Sequence, residues 1–319
     1  MSDQRELPEA LSRRVFLSCA AASGMAVAGG AAALAAAEKP AAKEASLQWM
    51  NITSERMPQI IKDVQGVCLV PWGCLERHGP HLPVGADTIQ AEAIATRASQ
   101  LEPSVVFPAL YFGQIAEARQ CPGTISLDHE LLFRLLRGTF DEIGRNGFTK
   151  IVIVNNHGGN SSLLGLVMVS MLQERRPYVV YNARVAMSAE DRSQWAQMSP
   201  GRDGHAGPSE TSMLMHLRPE TVHVEDLRDP ADGDPRGRLK HLAGVGNSFS
   251  WYADYPTHLG GDPRSGSAEK GAFWLEATAK ALAQQIKKVK DDDVSAALAK
   301  EYYDAGEHPL KPPPFIPKR

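Results

Sequence analysis

The sequence lacks an excess of charge: 34 Lys and Arg stand against 37 Asp and Glu, a formal net charge of −3. No broad basic face is left for a phosphate backbone, which excludes a dedicated nucleic-acid binder. Cysteine is scarce, with 4 in 319 residues, too few for a disulfide scaffold at this length. There is no internal repeat and no domain-sized linker. Strongly hydrophobic runs are missing too. The one uncharged stretch long enough to span a bilayer, residues 15–37, is mostly Ala and Gly, with Ser18, Ser23, Gly24, Gly29 and Gly30 inside it. What is present is ordinary: 43% hydrophobic and 22% charged residues exclude wholesale disorder and fit a soluble globular protein.

The amino-terminal segment reads as an address. Ser12-Arg13-Arg14-Val15-Phe16-Leu17 resembles the twin-arginine export signal, and Ala35-Ala36-Ala37 reads as a small-x-small cleavage site. The alternative is an uncleaved membrane anchor, which the weak hydrophobicity of residues 15–37 disfavours. Cys19 precedes the apolar run instead of following it, which rejects lipidation. Beyond residue 37 remain Cys68, Cys74 and Cys121, an odd number that cannot pair completely. The expectation is a protein exported folded by the twin-arginine machinery to the periplasm or medium, with no stable membrane anchor. Such export often carries an inserted cofactor, which directs attention to metal-binding residues.

The body, residues 38–305, reads as one domain, followed by a proline-rich tail over 306–319. Residues 66–70, 105–107, 151–154 and 178–181 read as strands, and 151–154 is a continuous β-branched run suited to a sheet covered on both faces. Helical spacing runs over 88–101, 128–146, 161–174, 211–216, 268–290 and 294–303. Asp128 is placed to cap the second of these, and Gly147 follows its end. Strands alternating with helices predict an α/β fold with a mostly parallel sheet and right-handed crossovers. Residues 225–265, rich in Gly, Asp, Pro and Arg, read as a long surface excursion.

Three loops concentrate metal-ligand residue types. Glu76-Arg77-His78-Gly79-Pro80-His81-Leu82-Pro83-Val84-Gly85-Ala86-Asp87 follows the first strand. Asn155-Asn156-His157-Gly158-Gly159-Asn160 follows the 151–154 strand, and His205-Ala206-Gly207-Pro208-Ser209-Glu210-Thr211-Ser212 opens a short helix. In an open parallel sheet, loops leaving the carboxyl ends of strands line the ligand crevice. Glu76 and His78, two apart on an extended loop, can face one centre, and Asp87 returns after two prolines and two glycines. Imidazoles with carboxylates suit Zn²⁺, Mn²⁺ or Fe²⁺ better than Ca²⁺ or a thiolate centre. A lone histidine is more often structural, but several in Gly-rich post-strand loops are not. No Lys follows Gly158-Gly159-Asn160 to make a phosphate-cradling loop.

These segments, Glu-x-His-Gly-Pro-His-Leu-Pro-x-Gly-x-Asp, Asn-x-His-Gly-Gly-Asn and His-Ala-Gly-x-x-Glu-Thr-Ser, resemble the signatures of the creatininase family. Weaker echoes are Pro122-Gly123-Thr124-Ile125-Ser126-Leu127, and Gly261-Asp262-Pro263 with Glu269-Lys270-Gly271. The resemblance runs from about residue 50 to residue 290. It implies a three-layer α/β/α sandwich, a homo-oligomer (often a hexamer) and two divalent ions, zinc and/or manganese with iron as an option. It implies that Glu76, His78, Asp87 and His157 are metal ligands, with Asp87 bridging the two ions. Creatininase proper has a further ligand Glu where this chain has Gly159; relatives of the His-Gly-Gly-Asn form use the Glu of the third segment, here Glu210. His205 matches the histidine that handles protons, so the implied chemistry is hydrolysis of a small amide C–N bond by water activated between two metals.

Departures bear on the substrate. Creatininase proper surrounds creatinine with a Trp and a Glu where this chain has Gly201 and Gly204, and Glu117-Ala118-Arg119-Gln120-Cys121-Pro122 lacks the His of many relatives. Creatinine is therefore not the expected substrate. Arg119, Arg202 and Arg264 are candidates for a substrate carboxylate and Trp251 and Tyr252 for stacking, against ordinary solvated or packing roles. His129, His216, His223, His241, His258 and His308 read as structural or surface residues, His81 as a supporting or substrate contact, and Cys74 as no ligand. The competing readings are a deformylase or small-peptide amidase of the same family, and a non-catalytic binder on this scaffold, which would have no need of His205.

Overall fold

The computed structural model describes residues 47–310, so the expected export signal and tail residues 311–319 lie outside the described residues. In chain order the elements are α1 (Met57–Asp63), β1 (Val67–Trp72), α2 (Ala86–Leu101), β2 (Val105–Val106), α3 (His129–Arg145), β3 (Lys150–Asn155) and α4 (Asn160–Ser170). Then come β4 (Val179–Asn182), α5 (Ala189–Met198), α6 (Pro208–Leu217), α7 (Ser250–Asp254), α8 (Ala268–Lys290) and α9 (Val294–Gly306). The four strands form one parallel sheet in the order β2-β1-β3-β4.

Side chains alternate across the strands, and both faces are apolar. Val67, Leu69, Val152 and Val154 point into one core with Ile94 of α2, Met213 of α6 and Leu282 of α8. Cys68, Val70, Trp72, Ile151 and Ile153 point into the other with Leu136 and Phe140 of α3 and Leu164 of α4. A period of two with both sides buried is why β1 and β3 read as unbroken apolar runs. The result is the expected α/β/α sandwich.

β1 continues two residues past its expected end, through Pro71. Proline is costly inside a sheet because it cannot donate to the ladder. Here the missing N–H faces the side where β2 has already ended at Val106, and the Pro71 carbonyl accepts from Leu110 N at 2.9 Å. β2 is one residue shorter than expected, although Phe107 N still bonds Leu69 O at 2.8 Å. Helices α1, α5 and α7 were not expected. α5 begins on Ser188, whose hydroxyl accepts from Asp191 N at 3.0 Å, and Glu190 and Asp191 sit in its first turn. α9 runs through Gly306, the first residue of the expected tail.

Asp128 caps α3 as expected, accepting from Glu130 N at 2.9 Å and Leu131 N at 3.2 Å. Asp128→Ala is expected to lower unfolding free energy by about 1 kcal/mol, measured by urea titration. No change would show that water replaces the cap at no cost. Among the described residues no helix is long and apolar enough to cross a membrane.

Candidate metal centre

The first two loops leave the carboxyl ends of neighbouring strands, β1 and β3, and so arrive side by side. Glu76 N bonds Val84 O at 2.9 Å, which folds the first loop back and delivers Asp87 to the first turn of α2. The second loop is held by its own asparagines. Asn155 accepts from His157 N at 3.2 Å and from Asn160 Nδ2 at 3.0 Å, and donates to His157 O at 2.9 Å. The third segment ends in α6, which presents Glu210 in its first turn, with Ala206 N donating to Glu210 Oε2 at 2.7 Å.

All six residues singled out from the sequence meet. His157 Nδ1 lies 2.9 Å from both Glu76 Oε1 and Asp87 Oδ2. His78 Nε2 lies 3.1 Å from Asp87 Oδ1, 3.6 Å from Glu210 Oε2 and 3.8 Å from Glu76 Oε1. His205 Nδ1 lies 3.8 Å from Glu76 Oε1, and its ring centroid is 4.3 Å from that of His78. Asp87 thus turns one oxygen to His157 and the other to His78.

Each imidazole is locked from behind. The partner of the remote ring nitrogen is a backbone carbonyl in every case: Glu76 O for His78 (3.2 Å), Gln114 O for His157 (2.7 Å) and Arg77 O for His205 (2.9 Å). A carbonyl can only accept, so that nitrogen carries the proton and the other presents a lone pair to the carboxylates. Lone pairs and carboxylate oxygens held in contact repel each other unless a cation lies between them. Glu76 Oε1 accordingly has no hydrogen-bond donor, despite its 2.9 Å approach to His157. Backbone carbonyls behind inward-facing imidazoles are the support expected of metal ligands. The residues fall into groups able to hold an ion: Glu76, Asp87 and His157 with Cys74, then His78, His205 and Glu210, and thirdly Glu76, His205 and His258.

Three other outcomes concern residues near the site. Cys74, not expected to be a ligand, donates its thiol to Asp87 Oδ2 at 3.3 Å, and burial pushes its pKa up, which keeps it a thiol. His81 bonds Oγ1 of Thr211, the residue after Glu210, at 2.8 Å, which fits the supporting one of its two expected roles. Trp251 stands over His205 at 5.8 Å, whereas Tyr252 packs under Arg238.

His258 is the residue that sequence reasoning missed. The sequence reading, structural or surface, agrees with its buried ring but not with its place at the site, Nδ1 3.8 Å from Glu76 Oε2. The signal in the sequence is its place three residues before Gly261-Asp262-Pro263. What delivers it is backbone packing: Gly260 N bonds His205 O at 2.8 Å, and Gly79 N bonds His258 O at 2.6 Å. A Cβ at Gly204 would run into the Gly260 carbonyl, so only glycine lets the excursion close on the site.

Without ions, protons must fill the same gaps. Burial opposes a charge on His78, but Asp87, Glu210 and Glu76 lift it to about 10. Burial, partly offset by His78, raises Glu210 to about 7, and His157 is raised as well. Asp87 resists burial because His78 and His157 hold its carboxyl well below the usual range. His205 is instead pushed well below the ordinary histidine value, by burial first and by His78. His78 contributes stability that is full below its ordinary 6.5 and is lost as pH rises through about 10. Glu210, protonated in the fold above its ordinary 4.5, adds a loss between there and about 7. His205, His81 and His258, held below the ordinary histidine value, oppose this up to 6.5, so chelated protein is expected to lose thermal stability as pH rises from about 7 to about 10. Asp87 works only at the acid end, where stability falls as pH drops through its depressed value. A melting temperature in chelator that climbs across neutral and alkaline pH would contradict this assignment.

Residues 50–286 match the creatininase family, described as creatinine amidohydrolase. The chain belongs to the creatininase family. It is 32% identical over 241 residues to a mycofactocin precursor peptide peptidase of Mycolicibacterium smegmatis, covering 70% of this chain and 85% of that protein. To the creatinine amidohydrolase of Pseudomonas putida it is 26% identical over 244 residues, covering 69% and 88%. A manganese form of creatininase superposes with a TM-score of 0.64 at 23% identity, and a zinc–zinc creatininase variant with 0.64 at 21%, each covering 76% of this chain and 98% of the other. Members of the creatininase family are amidohydrolases acting on C–N bonds, and this chain is such a hydrolase with a candidate metal site.

Proposed function

We propose that this chain is a two-metal amidohydrolase whose substrate is a small cyclic or linear amide other than creatinine. One observation carries the reading: imidazoles backed by main-chain carbonyls turn their other ring nitrogens to Glu76, Asp87 and Glu210 inside a buried site, where a cation would let those nitrogens present lone pairs. Glu76, Asp87 and His157 would hold one ion, and His78, Asp87 and Glu210 the other. The donor set suits zinc or manganese, with iron as an alternative. Such ions, when bound, polarise an amide carbonyl and acidify water.

His205 is the proton carrier in this reading. Its side chain is 12% exposed, more than His78 or His157. Burial and His78 keep it neutral, and the Arg77 carbonyl fixes its proton on Nε2. Nδ1 is then the one nitrogen able to take a proton from water and return it to the leaving nitrogen. A non-catalytic binder would have no use for that arrangement.

Two features support an amide other than creatinine. Gly204 has no room for the gripping side chain of creatininase proper, and the peptide peptidase relatives are more similar than the creatinine amidohydrolase (32% against 26% identity). The second of these favours a second reading, cleavage of a short peptide. Arg202 and Arg264 pair with Asp234 and Asp262 at the surface, at 2.9 and 3.1 Å, which supports the ordinary solvated role over a substrate contact.

The test is metal analysis of the purified chain and a screen of cyclic ureides, lactams, formamides and short peptides. About two ions per chain and turnover of at least one amide are expected. Absence of transition metal, or a His78→Ala variant with unchanged activity and metal content, would sink the reading. Metal without any turnover would favour the binder.

Export rests on Ser12–Leu17 and the small-x-small site Ala35–Ala37, and cleavage after Ala37 in the native host is its test. For assembly, the proposed occupant of the α4–α9 face, where Leu166, Val169, Leu172, Leu298 and Tyr302 are exposed, is a second copy of the chain. Light scattering is expected to give a mass above one chain, and a monomer would refute it.

A further inference from the structure

The two-ion reading leaves one donor group over. His258 is locked like the others: its Nε2 faces Glu117 O at 3.3 Å, so its Nδ1 carries a lone pair. That atom is buried, has no hydrogen-bond partner, and sits 3.8 Å from Glu76 Oε2. His205 Nδ1 approaches Glu76 Oε1 at the same 3.8 Å, and the two imidazole rings stand 5.3 Å apart at 84°. The donor atoms of Glu76, His205 and His258 lie within 4.8 Å of one another. His258 faces Glu76 Oε2, while His205 and His157 share Oε1.

The dimensions fit an ion. Donors at about 2.0–2.1 Å around a tetrahedral zinc stand about 3.3–3.4 Å apart, so each 3.8 Å approach at Glu76 closes by about half an ångström, and the two imidazole nitrogens, within 4.8 Å of each other, close to the same spacing. Two imidazoles and one carboxylate are a complement zinc accepts, with a fourth position left for water. Manganese prefers oxygen donors and suits this corner poorly. The backbone shows that the placement of His258 is imposed. Its φ is +51°, in the left-handed region that non-glycine residues adopt at a cost. The flanking bonds Gly79 N to His258 O and Gly260 N to His205 O hold it there.

We propose that Glu76, His205 and His258 form a third, regulatory cation site that takes zinc at excess and switches hydrolysis off. The switching half rests on the reading of His205 as the proton carrier. An ion there uses the Nδ1 lone pair that proton transfer needs, and draws on the second oxygen of Glu76. Activity should then rise as the first two ions fill and fall as the third does. Excess manganese should leave the active enzyme active.

The experiment starts from full-length chain holding two ions. It is dialysed against rising zinc while bound metal and amide turnover are followed together. Wild type is expected to reach a third equivalent in step with inhibition. His258→Asn, whose side chain tolerates the left-handed region and coordinates zinc poorly, should stop at two. Its inhibition midpoint, normalised to its own activity, should rise about tenfold or more. His258→Gln serves as a second variant, and cobalt in place of zinc gives a visible absorption readout independent of turnover. A wild type that never exceeds two ions, or a His258→Asn that still takes three, overturns the site. Two ions with amide turnover and no third defeats this inference alone, whereas no bound ion or no turnover of any amide defeats the functional reading and takes the switch with it.

Discussion

Asp87→Ala is expected to empty the metal centre and lower kcat/KM by about a thousandfold or more, about 4 kcal/mol of transition-state stabilisation. The reason is its double engagement. Asp87 Oδ1 faces His78 at 3.1 Å and Oδ2 faces His157 at 2.9 Å, so one carboxylate serves both proposed ions. No neighbour can substitute for it. Glu76 reaches His157 at 2.9 Å but His78 only at 3.8 Å, and Glu210 is engaged by Ala206 N. Asp87→Asn, which keeps the volume, should lose metal almost as completely, because an amide nitrogen cannot face an imidazole lone pair and hold a cation. Metal content falling below one ion per chain, with retained circular dichroism, is the expected record. The fold should survive, since both apolar layers form without the site. An Asp87→Asn protein that keeps two ions and near-normal turnover would remove Asp87 from the bridging role.

What was legible in the sequence follows from where information is local. β1 and β3 announce themselves because both faces of a central parallel strand are apolar, and α3 does so through Asp128 and its three- and four-residue spacing. Glu76, His78, Asp87 and His157 were readable because two adjacent strands end in ligand-bearing loops, which topology must bring to one edge. His258 was not readable, because what carries it to Glu76 is backbone contact among Gly204, His205 and Gly260, a tertiary fact with no periodicity. Short α1 and α7 gave too few turns for a pattern, and Pro71 hid the end of β1. Which face of the sheet each strand residue chose was equally hidden, since valines and isoleucines serve both cores.

Gly159→Ala is expected to cut activity by about a hundredfold and to lower stability by about 1–3 kcal/mol, an outsized effect for one methyl group. Backbone conformation is not the cause: Gly159 has φ −60° and ψ −28°, where alanine is at home. Space is the cause. A Cβ there would lie 2.5 Å from Gln114 O, 2.5 Å from His157 Nε2 and 2.6 Å from Gln114 Oε1. Gln114 O and His157 Nε2 are the two ends of the 2.7 Å bond that aims His157 at Glu76 and Asp87. A methyl wedged against that bond must turn the imidazole or shift the backbone, because the obstructing oxygen belongs to the main chain. Gln114→Ala would therefore not relieve it. The same steric fact leaves no room for a carboxylate side chain at this position, while Glu210 faces His78 from α6. Gly159→Glu combined with Glu210→Gln should then fail to rebuild the centre. Gly158→Ala is the control, since nothing lies within 4 Å of its Cβ. Equal metal content and turnover in Gly159→Ala and Gly158→Ala would show that the His157 lock is dispensable.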